Sequence, residues 1–179
     1  MPHQHTKPGQ HDQTASAFII RTDGDEPRLM LHRHKKLGFW LQFGGHVELD
    51  ENPWQAITHE LLEESGYQLS QLKLLQPKQR LARTSDSVMH PVAFYDQTHN
   101  FPDPTVIDHH HTDRGYVFFT DQEPSGKIAS GESTSIKLFS LEEIQNLKPS
   151  ETPEDVKEIA EHVLKMDLSH WNLEDPTTV

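Results

Sequence analysis

The stretch GGHVELDENPWQAITHELLEESGY, Gly44–Tyr67, decides the reading of this chain. It holds Glu48, Asp50, Glu51, Glu60, Glu63 and Glu64, and neither Lys nor Arg. From Asn52 the pattern predicts a helix. Asn52 suits its cap, Pro53 its first turn, Gln55 the capping-box position and Gly66 its stop. At about 100° per residue, Trp54, Ile57 and Leu61 gather on one side, with Thr58 and Leu62 beside them. Glu60, Glu63 and Glu64 fall together in the neighbouring arc. Like charges three or four residues apart destabilise a helix. A divalent cation turns that repulsion into attraction, and hard carboxylate oxygens suit Mg²⁺ or Mn²⁺. The plainer alternative is a solvated acidic face.

The rest of the chain narrows the setting. Its 179 residues suit one ordinary domain. Hydrophobic residues make up 33% and charged residues 25%, a polar but globular composition. A net charge of −12 argues against a broad basic face for a nucleic-acid polymer. With no Cys there is neither a disulfide nor a thiolate metal site. No apolar run reaches membrane-spanning length, so a soluble, cytoplasmic protein is expected. Three of the fourteen His (His3, His5, His11) stand near the N-terminus. Residues 1–14 read as a flexible His-rich tail, 15–169 as the folded domain and 170–179 as a frayed C-terminal tail.

Strands are expected at Ala15–Arg21, Pro27–His34 and within Gly38–Glu48, the last broken at Gly44-Gly45. Further strands are expected at Leu72–Leu75, Val88–Tyr95, Gly115–Thr120 and Ser135–Phe139. Leu141–Leu147 and Glu154–Met166 read as helices. Val156, Ile159, Ala160, Val163 and Leu164 form the apolar stripe of the second. Strands and helices mix without regular βαβ alternation, so one mixed α/β domain follows.

The spacing of the opening stretch carries a resemblance. Gly45, five residues, Glu51, seven residues and then HELLEESGY resembles the Nudix box, G-x5-E-x7-R-E-U-x-E-E-x-G-U, where U is a bulky aliphatic. Gly45, Glu51, Glu60, Leu61, Glu63, Glu64 and Gly66 match, and Tyr67 is a near match. The later KLFSLEEI looks like the family's W-F-S-L-E-E-L segment. The resemblance implies an α/β/α sandwich around a central mixed sheet. It also implies a metal-dependent pyrophosphohydrolase that cleaves a nucleoside diphosphate-X or nucleoside triphosphate by water attack at phosphorus. A small-molecule nucleotide would be its partner, with Mg²⁺ or Mn²⁺ as cofactor. A homodimer is compatible with this reading.

By the same resemblance Glu60, Glu63, Glu64 and the Gly45 carbonyl are metal ligands. Glu63, Glu64, Glu51, His59 and Glu132 are the catalytic candidates. His59 stands where the family has Arg. Arg offers five fixed donors, whereas neutral His offers one N–H. Arg33, Lys35 and Lys36 are candidates for phosphate contact. Trp40 is a candidate for base stacking or for the core. The segment DHHHTDRGYVFF, Asp108–Phe119, resembles an H-x-H-x-D-x-R-Y segment of some Nudix sequences. Alternation places His109, His111 and Asp113 on one face. With Arg114 they are expected to line the substrate pocket or to hold a further metal. The same H-x-H-x-D is similar to metallo-β-lactamase-type hydrolases, but Arg114 follows Asp113 where that family has His. A Nudix-fold nucleotide sensor with little hydrolysis is the main alternative, and His59 is its support.

Overall fold

A computed structural model describes residues 9–100 and 110–178. His3, His5, Asp108 and His109 lie outside these described residues. Two long strands form the spine of the sheet: β1 (His11–Arg21) and β7 (His110–Thr120), parallel over their full lengths. Around them lie β2 (Arg28–Arg33), β3 (Trp40–Leu41), β4 (Phe43–His46), β5 (Lys73–Pro77), β6 (Tyr95–Asn100), β8 (Ile136–Phe139) and β9 (Trp171–Glu174). The main path runs β3-β2-β1-β7-β5-β9. Each spine strand serves two partners on its outer edge. β1 pairs with β4 through Thr14–Ala17 and with β2 through Ile19–Arg21. β7 pairs with β6 through His110–Gly115 and with β5 through Phe118 and Phe119. β8 extends β2.

Strand alternation sends the two halves of each apolar run to opposite faces. Ala15, Ala17, Ile19, Met30, Phe43 and Phe118 pack against Trp54, Ile57, Leu61 and Tyr67. Trp54, Ile57 and Leu61 come from helix α1 (Pro53–Glu60) and its continuation, and Tyr67 follows the helix end. Phe18, Ile20, Leu29, Leu31 and Val117 pack on the other face against Ile144, Val156, Ala160 and Val163. These belong to α2 (Leu141–Gln145) and α3 (Glu154–Lys165). The sandwich is therefore α/β/α around a mixed sheet, as the resemblance implies.

The start of α1 follows its sequence signals. Asn52 Oδ1 accepts the amides of Trp54 and Gln55 at 3.0 Å, and Gln55 Oε1 accepts the Asn52 amide at 3.0 Å. Such a cap contributes about 1 kcal/mol.

Several expectations need correction. Residues 11–14, expected in the N-terminal tail, lie in β1, which begins at His11. The expected C-terminal tail contains β9, which pairs with β5. Gly44-Gly45 does not break a strand; both residues sit in the β1 ladder opposite Ser16 and Ala15, and the break falls at Gln42. Residues 88–94 form no strand, and β6 starts at Tyr95. Pro91 lacks an amide to give a ladder. The Gln76 side chain instead bonds both backbone groups of Val92, at 2.8 and 2.9 Å. Trp40 is half-buried and lies 5.2 Å, edge to face, from Phe139.

Gly115 fixes how β6 lies on β7. A Cβ there would overlap the Tyr95 ring, whose hydroxyl donates to Asp113 Oδ2 at 2.9 Å. Gly115→Ala is expected to lower unfolding free energy by about 1–3 kcal/mol through overpacking. Tyr95→Phe should lose only about 1 kcal/mol. Urea unfolding of the two variants checks that order.

Candidate active site

Past Glu60 the helix does not stop but widens into a π-helical turn, Leu61–Ser65, and ends at Gly66 with φ 75°. A side chain is disfavoured in that left-handed conformation. Single π turns inside helices are rare and cluster at functional sites. This one keeps Leu61 in the core and buries Glu64, 6% exposed, against the sheet. Glu64 Oε2 accepts the Gly44 amide at 2.8 Å. Glu60 lies beside the next glycine, and a Cβ on Gly45 would collide with Glu60 Oε1. Two carboxylates thus press on the backbone of β4 where it runs along β1.

Among the described residues neither carboxylate finds a full counter-charge. Burial pushes the Glu64 carboxyl up to about 8; the Gly44 amide opposes this and Glu60, Glu132 and Glu63 add to it. Burial likewise pushes Glu60 up to about 7, with His59 opposing and Glu63, Glu132 and Glu51 adding. His32 faces Glu64 with Nδ1 3.8 Å from Oε1, too far for a hydrogen bond. Burial, reinforced by the charge of His34, holds His32 down near 4, so it is neutral and supplies no cation.

His59 lies between two acids. Its Nδ1 is 2.9 Å from Glu51 Oε1, and its Nε2 is 3.6 Å from Glu60 Oε1. A neutral ring has one N–H, so it serves one of these carboxylates, where an Arg fork could serve both. Glu63 is exposed beside them. Glu132 arrives from the segment between β7 and β8. That segment is stapled to the end of the helix: the Gly126 amide bonds Gly66 O at 2.8 Å, and the Ala129 amide bonds Glu63 O at 2.7 Å. The Glu132 amide then bonds Ala129 O at 3.1 Å.

The expected cations divide. Lys35 Nζ donates to the Gly131 carbonyl, next to Glu132. Arg33 Nε closes its own turn on the Gly38 carbonyl at 3.1 Å. Lys36 is exposed, and its charge depresses the His34 pKa after burial has done so. The expected pocket group also separates. Asp113, 1% exposed, accepts from Thr14, Ser16 and Tyr95, each at 2.9 Å. His111 shares its face. Arg114 points to the opposite face, 3.4 Å from Asp96, and lines an open cavity of about 410 Å³ with Trp54 and Tyr116. Trp54 lies about 9 Å along the helix from Glu60, at 1.5 Å per residue. Sequence reasoning missed His32 and the Gly44 amide. Alternation along LMLHRH puts His32 beside Met30 on the helix-facing side, which was the available signal.

Known proteins place this geometry. Residues 11–162 match the model of the NUDIX domain family, and the chain belongs to that family. A MutT-like protein from Streptomyces ambofaciens is 35% identical over 65 residues, covering 36% of this chain. The chain spans only 40% of that relative's length. The crystal structure of a NUDIX-family hydrolase from Clostridium perfringens superposes with a TM-score of 0.65 at 25% identity, covering 86% of this chain and 95% of that one. The E. coli dihydroneopterin triphosphate pyrophosphohydrolase shares the fold, with a TM-score of 0.58 at 17% identity over 88% of this chain and 98% of that one. Among the described residues no helix is long and apolar enough to cross a membrane.

Nudix proteins typically use divalent metals, and the residues here fit one. Among the described residues no three His, Asp or Glu side chains already converge on a point. The donors are nonetheless hard oxygens, two of them are buried and raised in pKa, and the gap left by the missing Gly45 side chain brings Glu60 to the backbone.

The raised carboxyl pKa values make a signed prediction. An acid titrating higher when folded binds extra protons in the folded state, so stability falls as pH rises. Unfolding free energy in chelator should therefore decline from pH 4.5 to about 8, the window set by Glu64. Saturating Mg²⁺ should reverse that decline, and Glu64→Gln without metal should shorten it to the part below about pH 7 that Glu60 sets. Urea unfolding across the window measures both.

Proposed function

We propose that the chain hydrolyses a phosphoric anhydride bond in a nucleoside diphosphate linked to a further group, or in a nucleoside triphosphate, with Mg²⁺ or Mn²⁺. The observation that carries this is the pair Glu60 and Glu64, buried against Gly44-Gly45 and short of counter-charge. Glu60, Glu64 and the Gly45 carbonyl hold the ion, and Glu63 shares the ion or the water. When bound, the dication neutralises the diphosphate and makes a nearby water a better nucleophile. Water oxygen forms the new bond to phosphorus as the bridging P–O bond breaks, and a carboxylate takes the water's proton. Glu63 and Glu132 are the two carboxylates suited to that task. Glu63 is exposed beside the ligands, and Glu132 is carried on the stapled loop.

Glu51 accepts the one N–H of a neutral His59, so His59 holds Glu51 and leaves Glu60 without the second donor that a family Arg would give. Lys35, fixed near Glu132, and the exposed Lys36 receive phosphate charge. Arg33 supports their turn. The cavity with Arg114, Trp54 and Tyr116 is suited to part of the substrate remote from the diphosphate. His59 also favours a second reading, a nucleotide-binding Nudix domain with little turnover, because it gives one donor where the family has a fork.

A panel of nucleoside diphosphate derivatives and triphosphates with Mg²⁺ and Mn²⁺, with products identified by mass, separates the two. Hydrolysis at the anhydride supports the enzyme, and binding without turnover supports the sensor. Glu64→Gln should lower kcat by more than about 100-fold, beyond the 10–100-fold typical of residues that only support ligands. His59→Arg should preserve or raise kcat near neutral pH. A large fall in kcat with unchanged metal affinity would give His59 a chemical role of its own.

A further inference from the structure

A second cluster of metal-ligating side chains lies on the sheet face away from α1. The ladders set Asp12 of β1 beside His111 of β7, and His111 beside His99 of β6. His46, at the end of β4, pairs with Thr14, two residues from Asp12. Alternation then turns Asp12, His46, His99 and His111 to one face. Four strands, β1, β4, β6 and β7, each contribute one side chain there.

Asp12 is 2% exposed, yet its Oδ2 has no hydrogen bond; His99 Nδ1 is buried and equally without one. A buried carboxylate oxygen left in this state is costly unless something positive reaches it. His46 Nε2 stands 3.6 Å from it, beyond hydrogen-bond range. Donors about 2.0–2.2 Å from a tetrahedral ion stand about 3.3–3.6 Å apart, so this pair is spaced like two ligands of one ion. Two imidazoles on such an ion have ring centroids about 5.2 Å apart by the same bond lengths. The His46–His111 and His99–His111 centroids are 5.0 and 5.4 Å apart, with ring planes at 84° and 70°. His46 is 30% exposed and leaves a way in. Asp113 is outside the set, since Thr14, Ser16 and Tyr95 occupy its oxygens.

We propose that Asp12, His46, His99 and His111 form a second cation site, separate from the box carboxylates, for a nitrogen-preferring divalent ion of the zinc class. Three imidazoles and one carboxylate select zinc over magnesium, whereas the all-oxygen box selects the reverse. Small rotations close the site: among the described residues no three donors yet meet at a point, and the same holds for the box glutamates. The ion ties β1, β4, β6 and β7 together at one end of the sheet.

The test uses the full chain, stripped with chelator and titrated with Co²⁺ as a spectroscopic probe and with Zn²⁺ by calorimetry. The expected result is one equivalent of Co²⁺ giving the visible absorption of a four-coordinate, nitrogen-rich site, and a rise in melting temperature with Zn²⁺. A Glu60→Gln, Glu64→Gln double variant should keep that signal, as should a His3→Gln, His5→Gln, His11→Gln variant. His46→Gln, at a partly exposed position, and the near-isosteric Asp12→Asn should each weaken binding at least 10-fold while still melting cooperatively. The proposal is overturned if the wild type gives no such absorption, if the box or N-terminal variant abolishes it, or if folded His46→Gln binds as tightly as wild type.

Discussion

The Gly44 amide reaching the Glu64 carboxylate at 2.8 Å, with Glu60 pressed on Gly45, is the contact around which the molecule is arranged. It demands a backbone with no side chain at either residue. Gly44 has φ 139°, and a Cβ there would strike the Ala15 carbonyl across the ladder. The glycine pair therefore lets β4 lie flat on β1 and lets two acids approach β4 from the helix side. The parallel β1–β7 spine and the apolar layer from Phe43 to Leu61 hold both sides of that contact in register.

Local disadvantages accumulate at this point. A π turn replaces an ordinary helical one, carboxylates are buried without a cation, and a neutral His stands where a fork of donors would be. Real proteins break local rules where function requires it. The stapling of Gly126 and Ala129 to Gly66 and Glu63 shows the same priority, since it carries another acid, Glu132, toward acids already crowded. Crowding buried carboxylates raises their pKa, as it does for Glu60 and Glu64.

Much of this was legible in the residues. The cap at Asn52 and the apolar stripe of Trp54, Ile57 and Leu61 gave the helix and its buried face, and the box spacing singled out its acids. Glu132 was a candidate through the family resemblance, and it sits on the loop before β8. Three kinds of feature were not readable. The π turn was hidden because a widened turn leaves the apolar spacing nearly unchanged. The strand through Gly44-Gly45 was hidden because glycine propensity argues for a break, while a close approach of chains overrides it. The split between Asp113 and Arg114 followed from alternation, but not which face would meet the helix. The Asp12–His46–His99–His111 cluster depends on ladders between strands as much as 99 residues apart, such as β1 and β7, and periodicity along one strand does not reveal it.

The most direct measurement is carbon-13 NMR titration of the glutamate side-chain carboxyls, assigned with Glu60→Gln and Glu64→Gln, in chelator and in saturating Mg²⁺. Two carboxyls should titrate near 7 and 8 without metal and fall below the ordinary carboxylate range with it. Ordinary midpoints that do not respond to Mg²⁺ would mean that the acids are solvated and hold no ion, and the enzymatic reading of this fold would fail.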